Sequence, residues 1–245
     1  MPVGSTSTAT TPPASSATPA PTTPAPLPLA GKIIVVDPGH AGRYSAAFDT
    51  RLVPSGHGMT KPCNTSGTAS AGGYPEHTYN WQQALALQEA LERAGATVVL
   101  TRADDNSLGL CVDQRAGVVN DASAALLVSI HADGNLAPDA RGFHVIYSTT
   151  MDGGADLEAA SARFAARVRD ALATTPMPRS TYVGGGSALS PRSDIAGLNL
   201  LTGAPGVMVE MGNMRQADDA ALLASPDFRA AVASALAQAV IDQLA

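Results

Sequence analysis

The chain has 245 residues, a formal net charge of −6, and only 15% charged and 4% aromatic residues. With Lys32 and Lys61 as its only lysines and an acidic balance, it argues against a nucleic-acid partner, and no apolar run is long enough for a membrane span. The two cysteines, Cys63 and Cys111, fit no CxxC metal spacing; they suit either one disulfide in an oxidising compartment or two unpaired buried thiols.

In chain order, residues 1–30 hold eight Pro, seven Thr, six Ala and four Ser, with no charged or aromatic side chain. Such a segment has too little apolar area to offset the entropy of ordering, so a disordered tail is expected. A spacer, a Thr-rich glycosylation target and a plain linker all fit it. It lacks the basic and apolar regions of a signal peptide, so the expectation is a mature or shortened form. Residues 31–245 suffice for one domain with a substantial core.

Residues 33–37 read as a first strand, running into Asp37-Pro38-Gly39-His40. Residues 41–75, rich in Gly, Ser, Thr and Pro, read as a long irregular stretch of the kind that is usually functional. A helix over 77–94 follows, with Trp81, Leu85 (with Ala84), Gln88 and Leu91 at helical spacing and Gly95 as its stop. Next come a strand at 97–100, a helix over 113–123 carrying Arg115, and a strand over 125–131 ending in His131.

Residues 142–149 alternate Phe143, Val145 and Tyr147 against His144, Ile146 and Ser148, a strand with two unlike faces. The Ala-rich helix 155–173 carries a stripe of Leu157, Phe164, Val168 and Leu172. Three glycines at 184–186 mark a flexible loop, and 206–210 is a buried strand ending in Glu210. Ser225-Pro226-Asp227 then opens a last helix with an N-cap, a first-turn proline and an acid against the dipole. Strands alternating with helices predict α/β: a single domain, its mainly parallel twisted sheet flanked by helices.

Three of these aliphatic runs end near His40, His131 and Glu210. Ligands of open α/β sheets sit outside the carboxyl ends of the strands, so these side chains should meet at one rim, as in a metal hydrolase. A hydrolytic zinc site needs three N or O ligands and one open position. His40 and His131 supply two. For the third, Glu76 at a helix start and its neighbour His77 compete, while His57 and His144 read as structural or surface residues. Glu210 suits a general base, or else an ion pair with Arg115 or Arg192.

Several motifs occur in register. They are Asp37-Pro38-Gly39-His40, Glu76 with Asn80, Thr101-Arg102-x-Asp104, Arg115 with Asn120, Ser129-Ile130-His131-Ala132-Asp133, and Val209-Glu210-Met211-Gly212. Together they resemble the zinc-dependent N-acetylmuramoyl-L-alanine amidases of the amidase-3 group, most closely the actinobacterial, mycobacterial-type members. The resemblance runs from about residue 32 to 243. It implies His40, Glu76 and His131 as zinc ligands at the carboxyl ends of the strands and Glu210 as the catalytic acid/base. Asp37 and Asp133 would orient the histidines, or else serve turns and caps.

The resemblance implies hydrolysis of the amide between N-acetylmuramic acid and L-alanine, in peptidoglycan or muropeptide fragments. A monomer that is secreted, periplasmic or in the cell-wall space is the expected setting. With no appended repeat module, small soluble fragments are the expected better substrates. The rival readings are another zinc cell-wall peptidase or deacetylase, and a non-catalytic wall-binding or activator protein with a vestigial metal site. One departure stands out: the chain reads Asn213-Met214-Arg215 where the family usually has a bulky apolar residue and a Ser-Asn pair. No insertion follows strand 142–149, so the autoinhibitory helix that some relatives carry there is not expected.

Overall fold

The computed structural model describes residues 1, 2, 4, 5 and 26–245; most of the expected tail over residues 1–30 lies outside the described residues. Leu29, which composition groups with that tail, is fully buried in the main core, and its N–H donates to the Ala94 carbonyl. The packed chain therefore begins before Gly31.

The architecture follows from strands that are apolar on both faces. Strands β1 (Ile33–Pro38), β4 (Thr97–Leu100), β5 (Leu126–Asp133) and β8 (Gly206–Asn213) pair in parallel, and β6 (His144–Ser148) and β7 (Leu189–Arg192) complete a six-stranded sheet of order β4-β1-β5-β8-β6-β7. Within this sheet, among the described residues, only the β6–β8 pairing is antiparallel. Helices cover both faces, as parallel strands require. On one face α2 (Glu76–Arg93), α4 (Ala155–Leu172) and α7 (Pro226–Leu244) bury Val128, Ile130, Val145, Val207 and Val209. On the other, α3 (Val112–Asp121) and the short α5 (Ala196–Asn199) cover Val35, Leu127 and Ile146. Among the described residues no single helix is long and apolar enough to cross a membrane.

Two expectations need correction. The stretch 41–75 is not irregular throughout: it holds α1 (Ala46–Asp49) and a hairpin of β2 (Leu52–Gly56) and β3 (Met59–Pro62). His57 and Gly58 make its turn, both with positive φ (54° and 73°), as a two-residue type I′ hairpin requires. The hairpin's apolar content is too low to announce itself; Val53 packs with Cys63 and Cys111, which form a disulfide to the start of α3. Closing a loop of 48 residues contributes about 4 kcal/mol on the loop-entropy model.

The buried face of α2 also differs. Glu76, Tyr79, Asn80, Gln83, Ala84, Leu87 and Leu91 face inward, and Leu85 is 42% exposed. The helix is rotated so that its first-turn glutamate, not its tryptophan, faces the sheet rim. Helix α6 (Ala217–Ala224) and the edge strand β7 lie outside the sequence-based expectations, while Ser225 caps α7 as expected, its hydroxyl accepting from Phe228 N–H.

Candidate metal centre and active site

Because β1, β5 and β8 are parallel, their carboxyl ends share one rim, and His40 follows β1 by two residues. Here the chain turns sharply: His40 has φ of 60°, a left-handed conformation that costs energy outside glycine. Its carbonyl accepts from Arg115 Nη2 at 2.7 Å, and its ring Nδ1 lies 2.8 Å from the Thr65 carbonyl. An Nδ1–H donated to Thr65 leaves Nε2 free as a lone-pair donor toward the cleft. A Cβ on Gly39 would overlap the His131 ring, so glycine is required where the two histidines converge.

Glu76 reaches the same point from the start of α2. Its Oε1 lies 3.0 Å from His40 Nε2 and 3.1 Å from His131 Nδ1, and it accepts from Ala132 N–H at 3.2 Å. The loop before the helix locks it in both directions: Thr68 N–H donates to Glu76 Oε2, and Glu76 N–H donates to the Thr68 carbonyl. Asn80, one turn on, donates to Glu76 Oε1 and to the Gly39 carbonyl. Gly67 (φ 74°) crosses above, where a Cβ would strike Glu76 and His40. Burial works against ionisation of Glu76, but the two imidazoles hold its carboxyl well below the usual range.

Behind this group lies a buried ion pair. Asp37 accepts from Arg115 (2.6 Å), Ser129 (2.7 Å) and Thr101 (2.5 Å). Burial opposes its charge, but Arg115 and the two hydroxyls hold Asp37 far below the ordinary carboxylate range. Arg115 also binds the Pro38 carbonyl, so one guanidinium fixes the backbone that leads to His40. Asp37 therefore does not bond a histidine ring, and neither does Asp133, which accepts from Tyr182 O–H and Gly134 N–H.

Across the cleft, His131, Glu210 and His144 are register partners on β5, β8 and β6, so they share one sheet face. Among the described residues Glu210 forms no ion pair: Arg115 is taken by Asp37 and Arg192 by Asp194. Its Oε2 is sealed from solvent without a hydrogen-bond partner. Burial, then repulsion from Glu76 and Asp133, pushes its proton affinity well up. His144, only 4% exposed, also has an unpartnered buried atom, Nδ1, and burial pushes its pKa down to about 4. Of the structural and surface alternatives for His144, the surface one does not hold: the ring is buried, in line with Glu210.

Of the other histidines, His77 turns away to Asp105 (2.8 Å), and His57 belongs to the hairpin turn. The divergent Asn213-Met214-Arg215 is well packed: Met214 is fully buried, and Asn213 donates to the carbonyls of Asn135 and Ala140. Thr65, Tyr182 and the register role of His144 escaped sequence reasoning. Only the last left a trace, in the polar face of its alternating strand.

The cleft so formed, of about 430 Å³, is lined by His40, Glu76, His131, Asp133 and Glu210. His40, Glu76 and His131 each offer one ligand atom, all within 4.8 Å of one another. Tetrahedral ligands at zinc distances of about 2.1 Å lie about 3.4 Å apart, so small side-chain movements would close the set on an ion. Two imidazoles and a carboxylate, with a second carboxylate opposite, suit zinc and hydrolysis.

Comparison with known proteins agrees. The Amidase_3 family model, described as N-acetylmuramoyl-L-alanine amidase, matches residues 34–242. The chain is 43% identical over 220 residues to the N-acetylmuramoyl-L-alanine amidase Rv3717 of Mycobacterium tuberculosis, covering 90% of this chain and 89% of that one. The crystal structure of the amidase Ami1 from Mycobacterium smegmatis superposes with a TM-score of 0.83 at 44% identity, over 88% of this chain and 98% of that one. The apo form of Ami1 from Mycobacterium abscessus gives 0.83 at 42% identity, over 89% and 100%. Family match, identity and shared fold agree, and this chain belongs to the N-acetylmuramoyl-L-alanine amidase family.

Proposed function

We propose that the chain is a zinc-dependent amidase that cleaves the bond between the lactyl group of N-acetylmuramic acid and the L-alanine of the stem peptide, in peptidoglycan or its fragments. The observation that carries this reading is one buried Glu76 oxygen shared by His40 and His131, facing a second carboxylate of raised proton affinity. His40, Glu76 and His131 are the proposed zinc ligands. When bound, zinc supplies Lewis acidity, polarising a carbonyl and lowering the pKa of a water to about 7.

Glu210 takes a proton from the attacking water as its oxygen bonds the scissile carbon. The carbon–nitrogen bond then breaks, and Glu210 returns the proton to the alanine nitrogen. High proton affinity suits it to both halves of that transfer. Arg115 and Thr65 keep His40 aimed into the cleft. The disulfide suits an oxidising compartment, which supports action outside the cytoplasm, in the periplasm or cell-wall space.

Mass spectrometry of products from a defined muropeptide, with zinc and with chelator, tests this. The expected products are an intact stem peptide with N-terminal alanine and a free lactyl acid, formed only with metal. Cuts between stem residues, or loss of an acetyl group, would point to a peptidase or deacetylase. No turnover by metal-loaded protein would point to a vestigial site.

A further inference from the structure

On the sheet face that carries His131 and Glu210, strand β6 presents two buried residues in succession. Ile146 joins the apolar core with Leu198 of α5, and His144 follows it at the rim. An aliphatic side chain would fill the rim position without the cost of taking a polar ring out of water. His144 carries that cost, with its Nδ1 sealed and unpartnered. It is also the register partner of Glu210 across the antiparallel β6–β8 pair. Such partners hold their Cβ atoms about 4.5–5.5 Å apart, within reach of an imidazole and a glutamate side chain. Two cross-strand neighbours thus each bury one atom that lacks a partner, Nδ1 on one and Oε2 on the other.

The other polar groups on this wall are already engaged. Arg192 donates twice to the Asp194 carboxylate, at 2.6 and 2.8 Å. The Tyr182 hydroxyl donates to Asp133 Oδ2 at 2.8 Å, and the Tyr182 N–H donates to Ser180 Oγ. With both its ends tied, Tyr182 packs edge-on against the His144 ring, centroids 6.1 Å apart at 81°, and fixes where that ring lies. The imidazole is kept neutral chiefly by burial, so it offers a hydrogen bond without adding a charge to the cleft. A bond between Nδ1–H and Glu210 Oε2 would satisfy both sealed atoms at once.

We infer that His144 is a positioning residue for Glu210: its Nδ1–H donates to Oε2 while Glu210 is a carboxylate, and leaves Oε1 to exchange the proton. The inference rests on the amidase reading. Glu210 must be charged to accept a proton from water, yet burial and the carboxylates of Glu76 and Asp133 oppose that charge. A donated hydrogen bond favours the charged form and turns the other oxygen toward the cleft. No proton passes to His144. The proton that Oε1 takes from water is the one that it returns to the alanine nitrogen.

The test measures kcat, KM and metal content of zinc-loaded wild type, His144→Phe and His144→Asn on a defined muropeptide. One hydrogen bond to a charged group predicts that His144→Phe lowers kcat about thirtyfold, with KM and metal content changed less than about twofold. His144→Asn, whose amide offers a donor near the place of Nδ1, should recover most of that loss. A packing role predicts the reverse order, because Phe fills the buried space and Asn leaves a polar amide in it. In a Glu210→Gln background the same His144→Phe change should cost less than about threefold, since the carboxylate it positions is gone. The reverse order of the two variants, or an equal loss with and without the Glu210 carboxylate, overturns the proposal. The imidazole 15N resonances of His144 read the pair without turnover: the ring should carry its proton on Nδ1 in wild type and on Nε2 in Glu210→Ala. The same tautomer in both overturns the proposal. If wild type cleaves no muropeptide the amidase reading fails, and if a His144 variant does not fold its kinetics are lost; in either case the tautomers still decide the pair.

Discussion

The two walls of the cleft treat their polar atoms differently. On the β1–β5–α2 wall, His40 is tied to Thr65, Glu76 to Thr68 and Ala132, and the ion pair of Asp37 and Arg115 sits behind them. On the β8–β6 wall, Glu210 Oε2 and His144 Nδ1 are buried with no partner, whereas on the first wall the unpartnered atom among the described residues is Asn80 Oδ1, on a side chain whose amide already donates to Glu76 and Gly39. A fully bonded group is held in one geometry, which suits holding a metal. A buried atom without a partner awaits one, such as water or substrate, and suits a group whose bonding changes during reaction. The contrast predicts that substitutions on one wall cost binding and stability, and on the other cost chemistry.

The sharpest way to break that contrast is to remove one functional group from each wall. Glu210→Gln should lower amide hydrolysis about 10³-fold, in the range for a lost general acid/base, with metal content near that of wild type. His40→Ala should lose the metal as well as the activity. Activity assays paired with elemental analysis check both. Loss of metal in Glu210→Gln, or retention in His40→Ala, would reverse the assignment of the walls.

A smaller effect probes the support behind the bonded wall. Arg115→Met leaves Asp37 buried and unpaired, and loses the donor that holds the His40 carbonyl. Breaking a buried pair from one side costs roughly 3–5 kcal/mol, measurable by urea unfolding. Adding Asp37→Asn should recover a substantial part of that loss. A change below about 1 kcal/mol in Arg115→Met would mean that water replaces the guanidinium and that the wall is less rigid than its bonds imply.

The α/β sheet was legible in the sequence because its central strands are apolar on both faces and alternate with helical stretches. Parallel strands then force His131 and Glu210 to one edge. The inward aim of Glu76 was not legible from periodicity: the apolar stripe suggested by Trp81 and Leu85 points the wrong way, and the polar Asn80 and Gln83 are buried instead. A resemblance supplied what spacing could not. The hairpin was hidden because a disulfide, not apolar alternation, anchors it. The bond from Thr65 to His40 uses a main-chain carbonyl, which no side-chain pattern encodes.

The smallest expected effect tests the unbonded wall through stability alone. His144 has a pKa of about 4 when folded, against 6.5 when free, because burial disfavours its charged form. Between those values the unfolded chain binds a proton that the folded chain does not, so stability rises with pH across this window and falls as pH drops from about 6.5 toward 4. A full shift of that size corresponds to roughly 3 kcal/mol, and about 2 kcal/mol of it should be lost between pH 7 and pH 5. His144→Phe removes the titrating ring, so in metal-free protein its urea midpoint should fall less than that of wild type over the same interval. Equal falls would mean that His144 keeps its free pKa when folded; a smaller fall in wild type than in His144→Phe would mean that His144 gains a proton and a partner in the folded state. Glu210 would then face an imidazolium rather than a neutral ring, and the wall that looks unsatisfied would be a charge pair.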